Sequence, residues 1–158
     1  MADPRAQYKD LARKLSEAFP DFTVTQDRAG IPTIAVPRER YVELIQQLRS
    51  DHDYQFTILS HLNGVQYPGE AEPFEVVVHL TSMHLPAQVA IKVRAGGDPP
   101  TVPSLAAFWT AANWHEREVF DMFGIVFAGH PDPRRIYLEE DADFHPLRKD
   151  YPVLGRED

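Results

Sequence analysis

The run "NWHEREVFDMFG", residues 113–124, packs His115, Glu116, Arg117, Glu118 and Asp121 into little more than three helical turns. Such residues bind metals, move protons or pair with opposite charges. A zinc-protease helix needs H-E-x-x-H, because two histidines four residues apart reach one ion from one face. Four residues after His115 stands Val119, so the second ligand is missing. His115 and Glu118 share a face at i and i+3, but two ligands fall short of the three or four that a protein site supplies. A carboxylate pair for acid–base work must converge on one substrate. Glu116 and Glu118, two residues apart on a helix, point about 200° away from each other. Pairing with cations is the remaining chemistry.

Leu105, Trp109, Ala112, Glu116, Val119 and Phe123 form one stripe at i, i+3, i+4 spacing. Glu116 thus sits within an apolar face, where a carboxylate needs a cation, a hydrogen-bond donor or a proton of its own. Arg117 and Asp121, at i and i+4, are expected to pair along the helix surface, a contact worth ~0.2–0.5 kcal/mol. Downstream stand Arg134, Arg135, Arg148 and Lys149, following the dipeptides His130-Pro131 and His145-Pro146. Arginine forks on Glu or Asp would staple this segment to the helix or to a partner, a docking role rather than a catalytic one. Ordinary surface charge is the plain alternative for any one of them.

The remaining histidines read as bland: His52 in a turn, and His61, His79 and His84 in or beside strands. There is no G-x-S-x-G elbow, and "AGGDPP" lacks the lysine and following helix of a phosphate loop.

These residues have to be positioned by a frame, and the pattern describes an α+β one. A helix is expected from Asp3 or Pro4 to about Phe19, stopped by Pro20. Strands "DFTVTQ" and "IPTIAVP" flank a turn at Gly30, and "RERYVELIQQLRSD" makes a second helix with Tyr41, Leu44, Ile45 and Leu48 on one face. Three strand-like runs follow, "YQFTILSHL", "FEVVVHLTS" and "AQVAIKVRA", the first two joined by the loop "NGVQYPGEAEP". Ser104 reads as the N-cap of a third helix ending at Phe123 and stopped by Gly124. The expectation is a two-layer domain, helices on one face of a mixed, about five-stranded sheet, over residues 1–125. Residues 126–158 read as an extended irregular tail anchored by Ile136, Tyr137, Leu138, Phe144, Leu147, Tyr151 and Val153. Such a tail lies on another surface, its own domain's or a partner's, and the isolated chain is expected to be folded through about Ile125 and mobile beyond.

Composition limits the function. The 158 residues, 43% hydrophobic, suit one core. No run approaches the ~20 apolar residues of a membrane span, and the N-terminus lacks the apolar region of a secretory signal. The absence of cysteine excludes disulfides, thiolate zinc sites and the ordinary ligands of iron–sulfur clusters. A formal charge of -8 argues against sequence-independent nucleic-acid binding.

"EREVFDMFGIVFAGHPDPRR" (Glu116–Arg135) and "HPLRKDYP" (His145–Pro152) closely resemble the C-type (30 kDa) subunit family of respiratory complex I, the proton-pumping NADH–quinone oxidoreductase. The match is carried by Glu116, Arg117, Glu118, Asp121, Met122, Phe123, His130 and Arg134, and extends over roughly residues 54–152. Pro133, Phe144 and Gln66 depart from the family's usual residues. The resemblance implies a subunit of the hydrophilic arm, peripheral on the cytoplasmic side of the bacterial inner membrane. It implies no catalytic, cofactor or metal residue in this chain, with FMN and the iron–sulfur clusters held by partner subunits. The implied neighbours are the D-type subunit, the B-type subunit that holds the terminal cluster, and the I-type subunit, with no nucleic acid. The implied docking residues are Glu116, Arg117, Glu118, Asp121, Met122, Phe123, His130, Pro131, Arg134, Arg135, His145, Pro146, Arg148, Lys149 and Asp150. Two other readings stand beside it. One is the equivalent subunit of a membrane-bound hydrogenase or ferredoxin–quinone complex; the other is a metal-dependent hydrolase using His115, Glu118, Asp121 and His130.

Overall fold

A computed structural model describes residues 4–152, with side chains from Gln7 onward. The expected helix start at Asp3 and the anchor Val153 lie outside the described residues. The elements are α1 (Pro4–Ala18), β1 (Thr23–Gln26), β2 (Pro32–Val36), α2 (Tyr41–Ser50), β3 (Ile58–Gln66), β4 (Phe74–Ser82), β5 (Ala87–Ala95), β6 (Thr101–Pro103), α3 (Thr110–Phe123) and β7 (Val126–Ala128). Five strands form one sheet in the order β1-β2-β5-β4-β3. It is mixed: β1 pairs antiparallel with β2, and β2 parallel with β5. The expected α+β class is therefore the observed one.

The chain divides into two compact units, and the division falls within β3, β4 and β5. Unit 1 holds residues 1–61 and 77–93, unit 2 residues 62–76 and 94–158. In unit 1, α1 packs on β1 and β2. The face of α2 expected to be apolar buries Tyr41, Leu44, Ile45 and Leu48. Val78 and Leu80 of β4 and Val89, Ile91 and Val93 of β5 are buried, while His79, Thr81, Gln88 and Lys92 alternate with them at half-buried positions. That period-2 pattern is the signature of a sheet with one covered face. The β1–β2 turn closes on Gly30, whose φ of 88° is the left-handed region expected of a hairpin glycine.

Three expectations need correction. The strand placed at residues 54–62 begins four residues later and continues through Gln66, into the stretch read as a loop. The Asp51 carboxylate accepts the amides of Asp53 and Tyr54, and Phe56 N–H donates to Leu48 O, so residues 51–56 cap α2 instead of starting a strand. Ser104 does not cap α3. The helix begins at Thr110 after Trp109 in extended conformation, and residues 105–109 make separate turns on the Leu105 carbonyl. Finally, two stretches read as irregular contain a small parallel sheet, pairing Thr101 with Val126, Val102 with Phe127 and Pro103 with Ala128. Strands of three residues are too short to show a period.

Candidate docking site: the clasp at the end of helix α3

The charged helix and the segment after it both lie in unit 2, and there the segment's destination is visible: it folds back on α3 of its own chain. Asp121 is fully buried. One carboxylate oxygen accepts Nη1 of Arg135 at 2.7 Å, and the other accepts three consecutive backbone amides, of Ile136, Tyr137 and Leu138, at 2.7–3.1 Å. Burial alone would push the Asp121 carboxyl up; the three amides and Arg135 more than offset it and hold it below the ordinary value. Arg135 also donates to Ala142 O at 2.6 Å and stands over the Phe120 ring. The expected pairing of Arg117 with Asp121 along the helix does not form. Arg117 donates instead to the carbonyls of Arg134 and Arg135 at 2.9 and 3.0 Å and lies over Trp114. A buried aspartate gains more from four converging donors than a surface pair supplies, so each charge takes a non-local partner.

The second half of the motif caps the helix. An α-helix ends in four carbonyls without intrahelical donors. Here Phe120 O accepts Gly124 N–H, Asp121 O lies 2.9 Å from Nδ1 of His145, Met122 O accepts Leu147 N–H, and Phe123 O accepts Nε of Arg148. Gly124 ends the helix at φ 75°, and a Cβ there would stand 2.7 Å from the His145 ring, so glycine is needed twice over. Burial, with Arg148 and Arg135 nearby, pushes the His145 imidazole below its ordinary value. Gly64 of β3 has a similar use: a Cβ would stand 2.8 Å from Phe123 and 3.0 Å from Val119, so the glycine lets α3 approach closely.

Glu116 has the buried position that its place in the apolar stripe implied. Its partners are donors rather than cations: the Ser104 hydroxyl and the Leu105 amide, each at 2.5 Å. Burial pushes the carboxyl up to about 7 against those two hydrogen bonds. His130 Nε2 stands 3.8 Å away. The imidazole accepts Asp132 N–H at Nδ1, which leaves the proton on Nε2, facing Asn113 O at 3.1 Å. The His130 ring and the Glu116 carboxyl are therefore neighbours and not an ion pair.

Of the other residues proposed for docking, Glu118, Pro131, Lys149 and Asp150 are exposed, and Met122, Phe123 and Pro146 are half-buried. Arg134 turns outward, its side chain 66% exposed, with its fork on Asp132. That fork pulls the Asp132 carboxyl down to about 2. Two of the departing residues have partners of their own: Gln66 accepts the Lys149 amide, and Phe144 stacks on Tyr151 at 5.2 Å. The hydrolase reading loses its ligands, because Asp121 and His130 are committed to different partners. Among the described residues no three His, Asp or Glu gather as a cation site. The sequence reading missed Ser104 as the partner of Glu116, and Asp132 as the partner of Arg134. It also missed the buried Glu75, 3.2 Å from both Arg94 and Tyr67. Only the i+2 spacing of Asp132 and Arg134 offered a signal.

The fold is thus α+β, and within unit 2 the charged segment after α3 is clasped back on that helix. The chain belongs to the family of the respiratory-chain NADH dehydrogenase 30 kDa subunit, whose model matches residues 34–157. It is 50% identical over 129 residues to the C 2 subunit of NADH-quinone oxidoreductase from Rhizobium etli, spanning 82% of this chain and 68% of that one. It is 44% identical over 149 residues to the C-type subunit of the same enzyme from Roseiflexus sp., spanning 94% and 85%. Among solved structures, a trypsin-resistant fragment of Nqo5 superposes with a TM-score of 0.69 at 31% identity, over 77% of this chain and 98% of the fragment. A chain of an archaeal membrane-bound sulfane sulfur reductase shares the fold, with a TM-score of 0.77 at 23% identity over 92% and 86%.

Proposed function

We propose that this chain is the structural 30 kDa subunit of a proton-translocating NADH–quinone oxidoreductase, with no catalytic residue of its own. What supports the non-catalytic role most is the fate of the motif: Glu116, Arg117, Asp121, Arg135, His145 and Arg148 are all engaged in holding chain to chain. The same bonds present residues 130–152 as a shaped surface. With no cysteine in the sequence, thiolate ligands for iron–sulfur clusters come from partner subunits, as does FMN. The D-type subunit, the terminal-cluster B-type subunit and the I-type subunit are the proposed neighbours, on the cytoplasmic side of a bacterial membrane. No helix among the described residues is long and apolar enough to cross a membrane, so attachment runs through the complex. The fold shared with the sulfane sulfur reductase favours, as second reading, the same role in a sister complex with a different input module.

The test is a tagged pull-down of the chain from detergent-solubilised membranes, with the eluate assayed for NADH:quinone reductase activity. Co-purification with iron–sulfur and quinone-site subunits plus that activity is the expected result. The same subunits without NADH oxidation would move the chain to the sister complex. A chain that elutes alone would overturn both.

A further inference from the structure

Glu116, Asp121, Arg135, His145 and Arg148 are engaged within the chain, while Glu118, Pro131, Arg134, Lys149 and Asp150 stay exposed, so a partner has more than the charged motif to grip. Two aromatic rings in unit 2 face solvent: Trp114 is 57% and Tyr137 67% exposed. Trp114, Arg117 and Asp121 lie at i, i+3 and i+7, on one face of α3. Arg117 stacks on Trp114 and binds the carbonyls of residues 134 and 135, while Asp121 binds the Tyr137 amide. The Tyr137 amide is thereby fixed on the helix face that Trp114 shares, at Asp121, about 10 Å further along the axis. Glu118, one turn after Trp114, and Glu139, Glu140 and Asp141, two to four residues after Tyr137, are exposed. Of the nearby cations, Arg117 and Arg135 are turned inward, and Arg134, forked on Asp132, also feels Glu140, so the carboxylates are balanced only in part.

We propose that Trp114 and Tyr137 are the anchors of a docking surface formed by α3 and the segment clasped to it, fitted to a partner protein that offers apolar slots ringed by lysine and arginine. Rigid aromatic rings within a polar rim are the composition of an interface hot spot. The acidic rim selects the occupant. A second copy of this chain, of net charge -8, would set acid against acid, and an anionic lipid surface would be repelled. A basic protein surface is attracted. The proposal rests on the reading of the chain as a subunit and names the chemistry of the neighbour.

The experiment is site-specific photo-crosslinking in the assembled complex. The full chain carries Trp114→benzoylphenylalanine or Tyr137→benzoylphenylalanine, the complex is purified through a tag on this chain, and adducts are mapped by mass. Adducts from both positions on another subunit, in peptides carrying lysine or arginine, are expected. Adducts on this chain or a second copy of it, adducts in acidic peptides, or a co-purifying complex with no adduct would overturn the proposal. If no other subunit co-purifies, the subunit reading fails, and this proposal with it. As a second measurement, the double variant Trp114→Ser/Tyr137→Ser lowers recovered complex on the order of tenfold or more while the isolated chain stays folded, its Tm lowered only by loss of the Arg117–Trp114 contact. Unchanged recovery would overturn the proposal as well.

Discussion

Ile34 and Ile91 in unit 1, and Asp121 and Arg135 in unit 2, are both buried pairs that join distant parts of the chain. Ile34 stands opposite Ile91 where β2 meets β5, both without exposed surface. Asp121 and Arg135 meet at 2.7 Å with side chains 0% and 8% exposed. The first pair is held by removal of apolar surface from water, roughly 25 cal/mol per Å² and indifferent to direction. The second is held by donors aimed at one carboxylate, and fails as a unit when one member is lost. Unit 1 can therefore exchange one aliphatic residue for another of similar volume at small penalty. The clasp tolerates no such exchange.

Breaking each pair separates the two kinds of cohesion. Ile91→Ala leaves a cavity in the central strand and should lower stability by about 4 kcal/mol, within the range of roughly 2–5 for such truncations. The loss should appear in urea melts as a global change, insensitive to salt. Asp121→Asn strands Arg135 without its counter-charge and should cost about 3 kcal/mol, the scale of a broken buried ion pair. Here the loss is local. Hydrogen exchange on the free chain should show the amides of residues 136–138 losing protection while the strands of unit 1 keep theirs; equal protection before and after would mean the clasp does not hold the segment. Because the folded-state pKa of Asp121 is depressed, its contribution is present above the ordinary value of 3.8 and lost as pH falls through the lower folded value. Arg135→Ala should reproduce the same local pattern.

The two kinds of cohesion also differ in how far the sequence reveals them. β4 and β5 were legible to the residue and α2 to within three, because burying one face imposes a period of 3.6 or 2 that any window displays. The shift of β3 came from an Asx turn after α2, in which a single side chain, Asp51, overrides local strand propensity. In the clasp, the residue types and an arginine staple of the segment to the helix were legible, and the backbone partners were not. Asp121 and Glu116 could be seen to need partners, yet i+4 spacing pointed Asp121 to Arg117, whereas the donors it found are 14–17 residues away. Nothing periodic connects a carboxylate with three amides of a segment that has no secondary structure of its own. Trp114 was passed over, and Tyr137 and Leu147, expected to anchor the segment, are exposed, because exposure announces itself only when the rest of the surface is known.

Glu116 sharpens the comparison, since its burial opposes its charge. The folded-state pKa is raised from 4.5 to about 7, so the neutral carboxyl is the form that the fold favours. Its contribution is complete below pH 4.5 and is lost as pH rises through about 7. That gap corresponds to at most about 3 kcal/mol. Glu116→Gln keeps an acceptor for Leu105 and removes the titration, while toward Ser104 its amide donates where the carboxylate accepted. The difference in urea midpoint between the variant and the parent chain should be near zero at pH 4.5 and favour glutamine increasingly up to about pH 8. A difference that is flat with pH would mean that the carboxylate is as well solvated as in the unfolded chain.

The smallest effect should come from the neighbour of Arg135. Arg134→Ala removes a guanidinium that is two-thirds exposed and forked onto Asp132, a contact that water and salt largely replace. The backbone part of the turn is untouched, since Asp132 N–H still donates to His130 and Arg117 still binds the carbonyls of residues 134 and 135. Melting should be indistinguishable from the parent chain. What should move is Asp132 itself: without the fork its carboxyl should climb from about 2 toward the ordinary 3.8, stopping short because Arg117 remains 3.8 Å away. An NMR titration of the Asp132 side chain reads that shift directly. If Arg134→Ala instead destabilised the chain as Arg135→Ala does, the two adjacent arginines would share one role, and the division of the clasp into an inner and an outer cation would be wrong.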